Sequence, residues 1–183
     1  FDELLRRIVP HGFFVPVTPG TRFITVGGAI ASDVHGKGHH TDLTFGHHVT
    51  SLDLTLADGS SRTIGPASDS ELFWATVGGM GLTGVITRAT FGLLRIETNR
   101  CLVETQRLPH LDALIAEMST GDADHRYSVA WVDLASRSRT GTVGRSILER
   151  GDHATLDDLA EHAPKALRDP LGFAPGSLAS VPP

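Results

Sequence analysis

Residues 19–40, Pro19-Gly-Thr-Arg-Phe-Ile-Thr-Val-Gly-Gly-Ala-Ile-Ala-Ser-Asp-Val-His-Gly-Lys-Gly-His-His40, limit the fold more than any other stretch of the chain. They hold five glycines, and between Val26 and Asp33 the only large side chain is Ile30. Such a segment cannot fill a core by itself. Its glycines let the main chain come close to something flat or charged, and adopt φ > 0 where a turn needs it. The stretch ends in His35, Lys37, His39 and His40, a cationic and titratable cluster on what reads as a loop too rich in glycine for a plain helix. Exposed main chain followed by acid/base groups is the pattern of a cofactor cradle beside a reaction site.

Composition narrows the alternatives. Of 183 residues 40% are apolar, enough for a real core, and the net charge of −5 gives no sign of a nucleic-acid surface. The densest basic run, Arg137 to Arg145, has no interleaved aromatics. One cysteine, Cys101, cannot form an internal disulfide, and in a strand pattern it reads as a small core residue rather than a reactive thiol. No apolar run approaches the length of a membrane span. The opening on Phe1 in mid-pattern, and the close Phe173-Ala-Pro-Gly-Ser-Leu-Ala-Ser-Val-Pro-Pro183, predict a piece of a longer enzyme.

Local patterns give the elements. Leu4, Leu5, Ile8 and Val9 recur at helical spacing behind Asp2 and Glu3, and Pro10-His-Gly12 stops that helix. Phe13 to Val17 reads as a short buried strand whose Pro16 implies an edge position. Residues 48–56 alternate, Asp58-Gly59 turns, and 62–64 resume, which is a hairpin with one wet face. Ser68-Asp-Ser-Glu71 has the form of a capping box before a helix carrying Leu72, Phe73, Trp74 and Val77. A β-type run follows from Val85 to Ile96, with Gly92 as a bulge candidate. From Asn99 the pattern becomes strand (101–105), helix (108–118), strand (127–132) and a further strand near 144–149.

Gly79-Met-Gly-Leu-Thr-Gly84 matches G-x-G-x-x-G, yet a helix precedes it and a strand follows. A dinucleotide fingerprint needs the reverse order, so that reading is rejected. A helix-to-strand turn, or a loop that also approaches a ligand, both remain. His35, His39, His40, His47 and His48 invite a metal reading, but Gly36 and Gly38 argue against a rigid helical pair, and no cysteine or fixed ligand spacing accompanies them. A surface or structural role suits His47 and His48. There is no nucleophile elbow, P-loop or paired-Cys motif, and Ser32 near His35 is weak ground for a hydrolase.

Thr25-Val-Gly-Gly-Ala-Ile-Ala-Ser-Asp-Val-His-Gly-Lys-Gly-His-His40, Phe45-Gly-His-His-Val49 and Glu71-Leu-Phe-Trp-Ala-Thr-Val-Gly-Gly-Met-Gly-Leu-Thr-Gly84 together resemble the vanillyl-alcohol-oxidase (PCMH-type) flavoproteins. The resemblance is close to about Arg95 and looser beyond. Lys37 and His39-His40 narrow it to the branch acting on polyprenyl-phosphoryl ribose. It implies an α+β fold: residues 1–98 as the later part of a PCMH-type FAD-binding domain, an antiparallel sheet with flanking helices, and 99–183 as the beginning of an α+β substrate domain.

The resemblance also implies a site. Gly20, Thr21, Val26, Gly27, Gly28, Ala31, Ser32, Val34, His35 and Gly36 would line the FAD diphosphate and ring, and Gly79, Gly81, Gly84 and Ile86 the other side. His35 and Lys37 would face the substrate, with the catalytic base left open and no metal required. The implied reaction is FAD-dependent oxidation of a sugar secondary alcohol, C2′ of decaprenylphosphoryl-β-D-ribose on the route to cell-wall arabinan. The implied partners are a nicotinamide-dependent reductase completing an epimerisation and a membrane surface, with a cytoplasmic or envelope-associated location left open. An aldonolactone or alditol oxidase, or a piece that binds no cofactor alone, are the alternatives. Ser32, Gly38 and Met80 depart from the mycobacterial members, which carry cysteine, asparagine and asparagine there.

Overall fold

The computed structural model describes residues 1–137 and 141–173. The proline-ended close, 174–183, and the middle of the Arg137–Arg145 run, 138–140, lie outside the described residues. The fold is α+β, with helices packed on small antiparallel sheets.

The first part is built on a sheet of order β3-β2-β4, from β2 (Val49–Thr55), β3 (Ser61–Ile64) and β4 (Val85–Phe91). The β2–β3 hairpin is the one the Asp58-Gly59 turn predicts, and Gly59 has a φ of 81°. One face of this sheet is sealed. Leu52, Leu54, Ile64, Ile30, Phe45 and Phe73 have no accessible surface, and Phe45 meets the rings of Phe1 and Phe91 at 5.3 and 5.2 Å. Burying a side chain of this size contributes roughly 1.5–3 kcal/mol. Helix α1 (Asp2–Ile8) adds Leu5 to this core and passes into a 3-10 turn at Val9–His11, closed by Gly12 at φ 78°. The strand expected over 13–17 reduces to β1 (Phe13–Phe14), paired with β5 (Leu94–Arg95). Beyond it Val15 and Val17 are buried as irregular chain.

Two expectations fail for local reasons. Residues 26–31 form a helix, α2 (Val26–Ala31), where a loop was expected. Gly27 and Gly28 sit in its first turn, Thr25 caps it, and burial of Ala29 and Ile30 outweighs about 1 kcal/mol per glycine. The capping box does not form: helix α4 (Ser70–Thr76) has Asp69 as N-cap with no side-chain hydrogen bond. Ser68 is instead paired with Gly65 through main-chain bonds in both directions. A single helical turn, α3 (His39–Asp42), lies between α2 and β2.

The second part is a sheet of order β6-β8-β7, from β6 (Cys101–Leu108), β7 (Tyr127–Asp133) and β8 (Arg145–His153). Helix α5 (Leu111–Gly121), set three residues later than expected, covers one face. Residues paired across strands share a face. Leu148, opposite Gln106 and Ala130, lies on the covered side, while Ile147, opposite Arg107 and Trp131, lies on the open one. Cys101 is exposed on β6 rather than a core residue; partial burial and the Asp152 charge raise its thiol pKa. A further helix, α6 (Leu156–His162), starts at a capping box of Thr155 and Asp158.

Candidate functional site

The two glycine-rich segments meet. The amides of Gly78 and Met80 donate to the Ile30 and Ala31 carbonyls at 3.1 and 2.8 Å, which ties the loop after α4 to the end of α2. Met80, 71% exposed, holds this turn at a φ of 52°. At the other end of α2, the Thr25 hydroxyl oxygen accepts from the Gly28 amide at 2.9 Å. The amides of Val26 and Gly27, first in the helix, have no intrahelical acceptor. Val26 borders a groove of about 590 Å³ lined also by Arg22 and Phe23. Arg22 pairs with Asp2 at 2.8 Å, and Thr21 accepts from the Phe23 amide.

The glycines here divide by what their missing Cβ would touch. At Gly20 and Gly81 an added Cβ would meet open space, and at Gly27 only Ile86 at 3.8 Å. At Gly36, Gly79 and Gly84 it would strike the carbonyl oxygens of Thr18, Ala75 and Thr55 at 2.0, 2.1 and 2.5 Å. The second group lets the chain fold back on itself. The first leaves main chain facing outward, Gly27 among the free helix amides and Gly81 in the loop at the other end of α2. An extended dinucleotide fits such a cradle: amide donors suit a diphosphate, and small residues let a flat ring approach. Val26 and Ile86 are half-buried and pack on the core beside it, and Ala31 and Val34 are half-buried at the end of α2.

His35, Ser32 and Lys37 are exposed beyond α2. The His35 and His39 rings stand edge to face at 5.5 Å. The other histidines have their own partners. His40 Nε2 donates to the His125 carbonyl at 2.8 Å, His48 Nε2 donates to the Asp42 carbonyl at 2.8 Å, and His47 Nδ1 lies 2.8 Å from the Thr44 hydroxyl. Among the described residues no cluster of three or more metal-ligating side chains forms.

The same segment is joined to the second sheet. The Ser128 amide donates to the Lys37 carbonyl at 3.0 Å. One guanidinium nitrogen of Arg126 bridges both carboxylate oxygens of Asp42, at 2.6 Å each. Gly38 lies buried beneath this pair, where a Cβ would sit 2.8 Å from Asp42 Oδ2 and 3.0 Å from the Arg126 carbonyl. At the same end of the sheet, Tyr127 and His153 hydrogen-bond at 3.0 Å, and the His153 ring packs edge-on to Phe14. Burial lowers the His153 pKa and raises that of Tyr127. Sequence reasoning found neither Asp42 nor Arg126. No local pattern marks an ion pair between residues 84 apart.

Residues 1–65 match the family described as FAD binding domain. FAD is the cofactor of that family, and the outward-facing glycines and free amides fit it. Along its whole length the chain is similar to decaprenylphosphoryl-beta-D-ribose oxidase of Mycolicibacterium smegmatis, 45% identical over 99% of this chain and 39% of the relative. An uncharacterized protein of Streptomyces coelicolor is 37% identical over 94% of this chain and 45% of its own length. Alditol oxidase of a Streptomyces species is 32% identical over 51% of this chain and 22% of its own. The chain thus spans less than half the length of these curated relatives.

Proposed function

We propose that the intact protein is an FAD-dependent oxidoreductase acting on a sugar secondary alcohol, with C2′ of decaprenylphosphoryl-β-D-ribose as its target. The observation that carries this reading is the 45% identity to a relative of that name across 99% of the chain, joined to the FAD binding domain match. FAD, when bound, supplies the hydride acceptor. Val26 and Gly27 would hold the diphosphate through main-chain amides, with Gly28, whose own amide is held by Thr25, packed beside them and Gly20 and Thr21 at the edge. Gly79, Gly81, Gly84 and Ile86 would form the opposite wall, and Ala31, Ser32, Val34 and Gly36 the floor.

His35 and Lys37 lie exposed where the cradle ends and the second sheet begins. In this reading the Lys37 ammonium orients the substrate through phosphate or hydroxyl oxygens, and the His35 imidazole holds the reacting hydroxyl. The proton lost with the hydride must pass to a positioned base. A ketone product calls for a nicotinamide-dependent reductase to complete an epimerisation. A polyprenyl tail calls for work at a membrane surface, and among the described residues no helix is long and apolar enough to cross one. The similarity to alditol oxidase favours a free alditol or aldonolactone as the second reading.

The test is the visible spectrum of the intact purified protein, titrated anaerobically with candidate substrates. Flavin bands that bleach with a polyprenyl-phosphoryl ribose, and not with free alditols, are expected. A protein without flavin bands after incubation with FAD would remove the proposal. Bleaching by alditols or aldonolactones alone would transfer it to the second reading.

A further inference from the structure

Ion pairs at a protein surface contribute little, commonly less than about 1 kcal/mol. The Asp42–Arg126 pair differs from these in its setting. The Asp42 side chain is 12% exposed, and its main-chain carbonyl is held from the other side by His48. Gly38 packs closely under Asp42, where a Cβ would press on Asp42 Oδ2 and the Arg126 carbonyl, and the chain leaves through Leu43 at φ 57° and ψ −136°. A branched residue in that region is strained by about 1–3 kcal/mol and stays there only where its surroundings over-determine it. Leu43 is itself exposed, so its own side chain does not hold it. The restraint comes from its neighbours on both sides: Asp42 on Arg126, and Phe45, wholly buried, with its amide on the Val34 carbonyl.

Arg126 is equally fixed. Its amide donates to Asp152 Oδ1 at 2.8 Å, and the other oxygen of that carboxylate meets His125 Nδ1 at 3.0 Å. The His125 carbonyl in turn receives His40. Segments 37–42 and 125–128 are therefore bound at several points, with the Asp42–Arg126 pair as the charged one. The segment so held begins at Lys37, two residues after His35.

We propose that Asp42 and Arg126 are positioning residues: their ion pair fixes the His35–Lys37 segment against the start of β7, and so sets where those side chains stand relative to the second sheet. Neither residue touches the reacting atoms. The proposal rests on the reading of His35 and Lys37 as substrate-facing groups. Its mechanical half, that the pair holds the segment, is measurable without any substrate.

The experiment uses the intact flavoprotein with Asp42→Asn, Arg126→Gln and the double variant. Amide hydrogen exchange over residues 36–42 and 125–128 should rise about tenfold or more in each single variant, while exchange in β2 and β4 stays unchanged. Flavin reduction at saturating polyprenyl-phosphoryl ribose should slow by about 10- to 100-fold, as expected for a displaced orienting group. The concentration for half-maximal reduction should change far less. Because the two residues act as one unit, the double variant should be no worse than the poorer single one. Unchanged exchange in the single variants would overturn the proposal, and so would losses that add in the double variant. If the unaltered protein binds FAD but is not reduced by this sugar, the substrate reading fails, and the exchange data still decide the role of the pair.

Discussion

The sheet β3-β2-β4 and the sheet β6-β8-β7 are each three antiparallel strands, but they are stabilised in different ways. The first is sealed by apolar residues drawn from before, within and after it, from Phe1 to Ile96. The second has a small apolar centre at Leu148 and Leu114, next to a cation: Arg150, donating to Asp122 at 2.8 Å and to the Glu117 side chain at 3.1 Å. Its other face carries Trp131, 64% exposed, and Ile147. A closed core fixes a shape without help. A sheet with one bare face keeps surface in reserve for whatever comes to lie on it. The glycine-rich segments lie on the closed part, where small shifts are resisted, and are joined to the second sheet at the start of β7.

The contrast can be broken by substitution. The largest effect is expected in the closed core: Phe45→Ala should destabilise the intact protein by about 4 kcal/mol in urea unfolding, by lost burial plus a cavity. Trp131→Ala, on the open face, should change stability by only about 0.5 kcal/mol. Equal losses at the two sites would erase the distinction. Arg150→Met comes next, at about 3 kcal/mol, because it leaves Glu117 and Asp122 without their cation. A neutral result there would mean that the second sheet is held by its apolar contacts alone.

The smallest expected effect is a pH dependence at the junction. Burial lowers the His153 pKa below 6.5, so the folded protein binds this proton less readily than the unfolded chain does. Its contribution is complete above pH 6.5 and declines as the pH falls from there toward the folded pKa. His153→Gln should flatten the fall in stability below pH 6.5, and an unchanged slope would assign the dependence to other groups.

What the sequence reveals follows the range of the interactions. The β2–β3 hairpin and α1 are legible because turn residues and apolar spacing act within a few positions. Residues 26–31 are not read as a helix, since paired glycines argue against one and only the burial of Ala29 and Ile30 decides it. The Ser68 box fails because that residue is already bonded to Gly65, whereas the similar pattern at Thr155 forms a cap. The glycines of the cradle can be named from sequence, but their division into outward-facing and chain-packing sets depends on Thr18 and Thr55, which lie elsewhere in the chain, and on where the helix before Gly79 leaves the Ala75 carbonyl. Asp42 and Arg126 carry no signal until folding brings them together.

Strand β6 ends its sheet, and its residues from Cys101 to Arg107 are exposed on both sides. A row of main-chain donors and acceptors along eight residues is a template for any extended segment that reaches it. Glu104 and Arg107 interrupt the row with charge, yet Leu102 and Val103 leave half of it adhesive. Left uncovered, this border favours association between copies, which the charges at Glu104 and Arg107 oppose only in part.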